Sequence, residues 1–137
     1  MKNDEQTNLV ELGNKVVGEI ELPSIDISPY VGKKVKVEQV TEHEGNFGYY
    51  IKVVSEVVAT LNDVKDPVTG QPVQLRASRI FGLQTDADGN IGWGAKTKLG
   101  VFLKKMKVSH YKELVGKEVV ATSVTNSDDG KDYLSFN

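Results

Sequence analysis

Apolar and polar positions alternate along most of this chain, and they fall into a convincing helical rhythm only once. From Thr97 to Lys107, TKLGVFLKKMK, the residues Leu99, Phe102, Leu103 and Met106 recur at i, i+3, i+4 and i+7, one apolar stripe at helical period. Lys98, Lys104, Lys105 and Lys107 fall mostly off that stripe, and the Thr97 hydroxyl can accept from a free first-turn N–H. Gly100 works against the helix by ~1 kcal/mol relative to Ala. Three strand-like segments precede this helix and two follow it. The order βββ-α-ββ points to a small closed barrel with a helix plugging one end.

The first strand lies in YVGKKVKVEQV, where Val35 and Val37 alternate with Lys34, Lys36 and Glu38. His43-Glu44-Gly45-Asn46 reads as a turn. The second strand, FGYYIKVVSEVVATL, is long and rich in aromatic and β-branched residues, with Tyr49, Ile51 and Val53 on one face and Tyr50, Lys52 and Val54 on the other. LNDVKDPVTGQP reads as a loop, with Asp66-Pro67 and Thr69-Gly70 as turn signals. In the third strand, PVQLRASRIFGLQ, alternation groups Leu75, Ala77, Arg79 and Phe81 against Gln74, Arg76, Ser78 and Ile80, and leaves open which group is inward. TDADGNIGWGA is a long polar loop or hairpin. SHYKEL forms one short turn ending at Gly116, KEVVATSVT a fourth strand, NSDDG a hairpin turn and KDYLSF a fifth strand, with Tyr133 and Leu134 on opposite faces.

Ahead of the barrel, residues 1–14 are polar and acidic and read as a flexible arm. From Lys15 to Ile27, apolar residues recur without a long period and Pro23 interrupts, so extended or edge-strand structure is expected. The expected organisation is the arm followed by a single domain over residues 15–137, with the barrel itself in residues 30–137. One echo runs through it: Tyr30-Val31-Gly32-Lys33-Lys34-Val35 against Leu114-Val115-Gly116-Lys117-Glu118-Val119. Each reads as a generic strand entry after a tight glycine turn, and their different surroundings argue against a repeat domain.

Composition narrows the class. Hydrophobic residues make up 39% and charged residues 26%, ordinary for a globular protein. Cys is absent, so disulfide and thiolate chemistry drop out, which fits a reducing compartment. No apolar run approaches the roughly 20 residues that span a bilayer, and the N-terminus lacks the apolar core of a signal peptide; the expected location is the cytoplasm, with no membrane partner. Of the net charge of −2, residues 1–14 supply −2 through Lys2 against Asp4, Glu5 and Glu11, so the remaining 123 residues sum to zero. That excludes a uniformly basic nucleic-acid binder and leaves room for a local basic groove.

The element order together with the two strand entries Val31-Gly32-Lys33 and Val115-Gly116-Lys117 resembles the OB-fold, a five-stranded Greek-key barrel with its helix between strands three and four. The chain looks most like small archaeal or phage-type single-stranded DNA-binding OB domains. The resemblance implies oligonucleotide binding across strands two and three, with help from the loops after strands one and four. Carried to this chain, it implies Tyr49, Tyr50 and Lys52 on strand two, Arg76, Arg79 and Phe81 on strand three, and His43, Asn46 and Phe47 in the first loop. The second loop offers Asn126 and Ser127, with Asp128 and Asp129 set to repel phosphate.

The residues support that site on their own terms. Single-strand binding needs π-faces for bases and cations for the backbone, and Tyr50 with Lys52, then Arg79 with Phe81, are spaced i, i+2 on neighbouring strands. The competing reading has the aromatics in the core and the cations solvated. Stacking is expected from Tyr50, Phe81 and Trp93, and phosphate contacts from Lys36, Lys52, Arg76 and Arg79. Trp93, between Gly92 and Gly94, either stacks on a base or folds back over the barrel end beside Phe102. The Lys104-Lys105-Met106-Lys107 run reads first as a solvated helix face and second as a phosphate contact.

Other chemistry is weakly represented. Gln84 to Ala95 partly imitates a calcium loop through Asp86, Asp88 and Gly89, but Gln84 and Ala95 stand where carboxylate ligands belong. His43 and His110 have no partners at metal-ligand spacing. No nucleophile elbow, phosphate loop or dinucleotide fingerprint occurs. The expectation is a non-enzymatic protein with no cofactor or metal, binding single-stranded DNA or RNA. The alternative is a protein-interaction or structural OB barrel, whose strands dock a protein partner or a second copy.

Overall fold

The computed structural model describes residues 25–137. The expected arm at residues 1–14 and the extended segment as far as residue 24 lie outside the described residues.

The protein is mostly β. Strands β1 (Lys34–Gly45), β2 (Gly48–Lys65) and β3 (Pro72–Gly82) form a meander. A short hairpin of β4 (Gln84–Thr85) and β5 (Ile91–Gly92) leads to α1 (Lys98–Met106), the one α-helix among the described residues, and β6 (Glu118–Thr125) and β7 (Asp132–Phe136) complete the chain. The long strands make one five-stranded antiparallel sheet in the order β3-β2-β1-β6-β7. The sheet curls until β7 lies against β3, giving a nearly closed barrel. At that seam the Arg79 guanidinium donates to the Phe136 carbonyl at 3.3 Å.

Alternation now acquires a direction. Val35, Val37, Ile51, Val53, Ala77, Phe81, Val119, Ala121, Leu134 and Phe136 point into one core, while Lys36, Lys52 and Ile80 point out. Bulges on β1 between Val37 and Gln39 and on β2 between Val54 and Val57 bend the sheet. A bulge interrupts the ladder, and buried Ser55 repairs it. Its hydroxyl accepts from the Ala77 N–H at 2.9 Å and donates to the Glu56 carbonyl at 2.8 Å.

The hairpins are tighter than the sequence suggests. β1 runs through His43 and Glu44, and Gly45 pairs with Gly48, so Asn46 and Phe47 alone make the turn. β2 extends to Lys65, which shortens the expected loop to the turn around Asp66-Pro67-Val68-Thr69-Gly70. That turn and the one after β6 share a construction. An Asp66 or Asn126 side-chain oxygen accepts from the N–H two residues on at 2.8 Å, and the same residue's carbonyl accepts from the glycine four residues on at 2.8 Å.

α1 caps the barrel as its pattern predicts. Thr97 Oγ1 accepts from the Gly100 N–H at 3.1 Å, and Lys107 ends the helix in the left-handed region at φ 59°. Leu99, Phe102 and Leu103 are buried and Met106 packs partly against the core. The Phe102 ring lies 5.2 Å from Phe81 and 5.7 Å from Phe136, centroid to centroid.

The sequence echo is more than two generic strand entries. Each copy is a 3₁₀ turn, Ser28–Tyr30 or Tyr111–Leu114, followed by a valine and a glycine at φ +91° (Gly32) or +88° (Gly116). Each glycine then docks on the other copy's strand. The Gly32 N–H donates to Ala121 O and the Ala121 N–H to Lys33 O, while the Gly116 N–H donates to Val37 O and the Val37 N–H to Lys117 O, all at 2.8 Å. Lys33 and Lys117, and Val37 and Ala121, are equivalent positions, and the pair Val35–Val119 sits between them. A local two-fold axis therefore passes through the β1–β6 junction.

Candidate functional site

The outward positions of β1, β2 and β3 line up in rows set by the register. One row is His43, Tyr50 and Gly82; the next is Thr41, Lys52 and Ile80. His43 and Tyr50 stack with ring centroids 5.1 Å apart and planes 19° from parallel. The His43 Nε2 sits 2.7 Å from Thr41 Oγ1, which holds the imidazole in place. On the other side of Tyr50, Gly82 leaves open space, and Gly45 lets the phenol ring lie close, since a methyl there would meet Tyr50 Cε1 at 3.1 Å. Lys52 is exposed beside this pair, as is Ile80, 61% accessible on an outward strand position. At the β1–β2 turn Phe47 is fully exposed.

These features make a preorganised aromatic step with one cation and one apolar neighbour. A groove of about 330 Å³ continues from it over the barrel end, lined by Glu42, His43, Glu44, Tyr49, Leu83, Ile91 and Tyr111. There the Tyr111 hydroxyl donates to the Glu42 carboxylate. Burial, then Glu42, pushes the Tyr111 pKa up from 10.0 to about 12.

The remaining expected site residues divide differently. Phe81 is a correction: it is 2% exposed, on the inward side of β3, and its ring has no face to offer a base. Arg79 shares that side. Its guanidinium lies 4.5 Å over Phe81 and 5.7 Å over Phe102 and donates to Phe136, so it closes the barrel seam instead of meeting phosphate. Burial lowers its pKa. Arg76 points outward but donates to the Glu38 carboxylate, an ion pair, and to the Ser55 carbonyl at 3.1 Å. Lys36 is exposed opposite Glu118 of β6, outside the Tyr50 row.

Trp93 packs back against the barrel core, with neighbours other than the expected Phe102. It is half-buried beside the 3₁₀ turn, 5.2 Å from His110 and 5.4 Å from Tyr111, rather than beside Phe102. A shallow groove of about 580 Å³ lies between it and the β4–β5 hairpin. The Asp86 carboxylate that suggested a calcium loop closes this hairpin. It accepts from the N–H groups of Asp88 and Asn90, at 2.9 Å each, and these bonds, chiefly from Asn90, hold its pKa down.

His43 and Ile80 join the outer-face cluster through strand register alone. His43 sits among turn-forming residues, and only strand pairing stacks it on Tyr50. The signal for Ile80 was its place in the Gln74, Arg76, Ser78 alternation, opposite Ala77 and Phe81.

Compared with protein-family models, curated proteins and solved structures, the chain matches none.

Proposed function

We propose that this protein binds single-stranded nucleic acid, with DNA the expected form, on the outer face of β1, β2 and β3. One observation carries the reading: the His43–Tyr50 stack, held by Thr41 and flanked by exposed Lys52. Stacked rings extend readily by one base, and an adjacent cation meets the phosphate that follows. The strand order, and the helix placed in sequence between β3 and β6, support an OB-type Greek-key barrel, whose ligands use this face. The role is non-catalytic, because recognition by stacking needs no reacting group.

Fluorescence anisotropy with a labelled oligothymidine tests this. Tyr50→Ala should weaken binding by ~1–3 kcal/mol, the range for one lost base–aromatic contact. Affinity unchanged in both Tyr50→Ala and Lys52→Gln would end the reading. A second reading, a protein-interaction or structural barrel, is favoured by Ile80, exposed on the same face, and by Glu38 neutralising Arg76. Under it, oligothymidine binding is absent, and Ile80→Asp abolishes association with a partner or second copy.

A further inference from the structure

The near-zero net charge of the body conceals a strong separation. Residues 96–117 contain seven lysines and one acid, Glu113, a net of +6; the other 115 residues therefore carry −8. The structure gathers these lysines around one element. Lys98, Lys104 and Lys105 lie on the exposed side of α1 with Val101, opposite Leu99, Phe102 and Leu103 in the core. Lys96 and Lys107 flank the helix ends, and Lys112 and Lys117 follow in the next turn. All seven are exposed. None of the seven has an Asp or Glu carboxylate of the described residues within salt-bridge distance. Glu113 is engaged by the Ser109 hydroxyl at 2.8 Å, and Lys105 donates to the Asn137 carbonyl at 3.1 Å.

Unpaired like charges on one short stretch repel one another, and a linear polyanion relieves that repulsion by displacing counterions. The β1–β3 face offers less, since Arg76 is tied to Glu38, and β1 and β2 carry Glu38, Glu42, Glu44, Glu56 and Asp63 against four lysines. The two surfaces flank a common end of the barrel: α1 packs on Phe81, and Tyr50 pairs with Gly82, the next residue along β3. We infer that the exposed lysine face of α1 and the following turn is the surface that holds the sugar–phosphate backbone of the bound strand, while the His43–Tyr50 step holds a base. The inference rests on the nucleic-acid reading above but moves its electrostatic component off the sheet.

The test is the salt dependence of oligothymidine binding by the full chain. Each neutralised phosphate contributes a slope of about −0.7 to log K against log salt for single strands, so Lys98→Gln/Lys104→Gln/Lys107→Gln should make the slope shallower by about 2. Affinity at low salt should fall tenfold or more, with the unfolding midpoint unchanged because all three side chains are solvated. Lys52→Gln should alter the slope by less than one third as much. An unchanged slope in the triple variant, with wild-type binding intact, overturns the helix surface and spares the function. A lost slope in the triple variant, with Tyr50→Ala neutral, supports the helix surface and overturns the stacking step. No binding by the wild type overturns both. Loss of self-association in the triple variant, measured by sedimentation with oligothymidine affinity unchanged, overturns the inference and assigns the surface to a second copy's acidic face.

Discussion

At the scale of single residues, the least expected one is Gly100. Helix propensity alone says that Ala there should gain ~1 kcal/mol. Yet a methyl on Gly100 would meet the Gly94 carbonyl oxygen at 2.2 Å and that of Ala95 at 2.8 Å, both backbone atoms that cannot swing aside. Gly100→Ala should therefore destabilise, by ~1–3 kcal/mol as overpacking does, read as a lower urea midpoint. Tyr111 offers a pH-dependent test. Its native pKa is raised from 10.0 to about 12, so the folded state holds that proton more tightly than the unfolded chain. Its stabilising contribution is complete below pH 10.0 and is lost as pH rises towards about 12. The stability difference between wild type and Tyr111→Phe should accordingly shrink across that window, in urea titrations at stepped pH. A difference that stays constant would mean that the Glu42 contact is not formed.

Among the elements, α1 and the turn after it cover the same barrel end by different means. Phe102 inserts between Phe81 and Phe136, and Phe102→Ala should cost ~3–5 kcal/mol in chemical denaturation. Trp93 packs from the side on His110 and Tyr111, half-buried. Trp93→Ala should lower stability by less than Phe102→Ala and leave oligothymidine affinity unchanged. Trp93 is the chain's one tryptophan, so its emission should already be blue-shifted and should not respond to oligonucleotide. Quenching by oligothymidine would return Trp93 to the binding surface. The β1–β2 hairpin shows why element boundaries escaped the sequence. His43, Glu44, Gly45 and Asn46 all suit turns, but cross-strand pairing with Gly48, Tyr49 and Tyr50 draws the first three into β1.

Over the whole molecule, closure depends on the last strand. β7 joins β6 on one side and lies against β3 on the other, and it buries Leu134 and Phe136 in the common core. A chain ending at Gly130 should lose the cooperative thermal transition, because the barrel is then open and the Phe102 ring has lost one of its two aromatic neighbours. The local two-fold axis at the β1–β6 junction adds a second whole-molecule constraint. Val37 and Ala121, far apart in sequence, each complete the other half's glycine turn.

The sequence by itself determined the elements and their order. Period-2 alternation and one i, i+3, i+4, i+7 stripe are local properties, so the five long strands, α1 with its Thr97 cap and the 3₁₀ turn before Gly116 were all legible. It also named the residues of the aromatic step, Tyr50 and Lys52 directly and His43 as a loop neighbour. Tertiary structure alone decided which alternating face of β3 turns inward, since alternation has no sign until a sheet closes on a core. That choice took Phe81 into the interior, set Arg79 at the barrel seam and put Ile80 beside Lys52. Pairing across distant strands also neutralised Arg76 with Glu38, while the lysines of α1 stayed exposed with no Asp or Glu of the described residues beside them. Which cations are free is a property of neighbours in space, and the order of residues along the chain does not contain it.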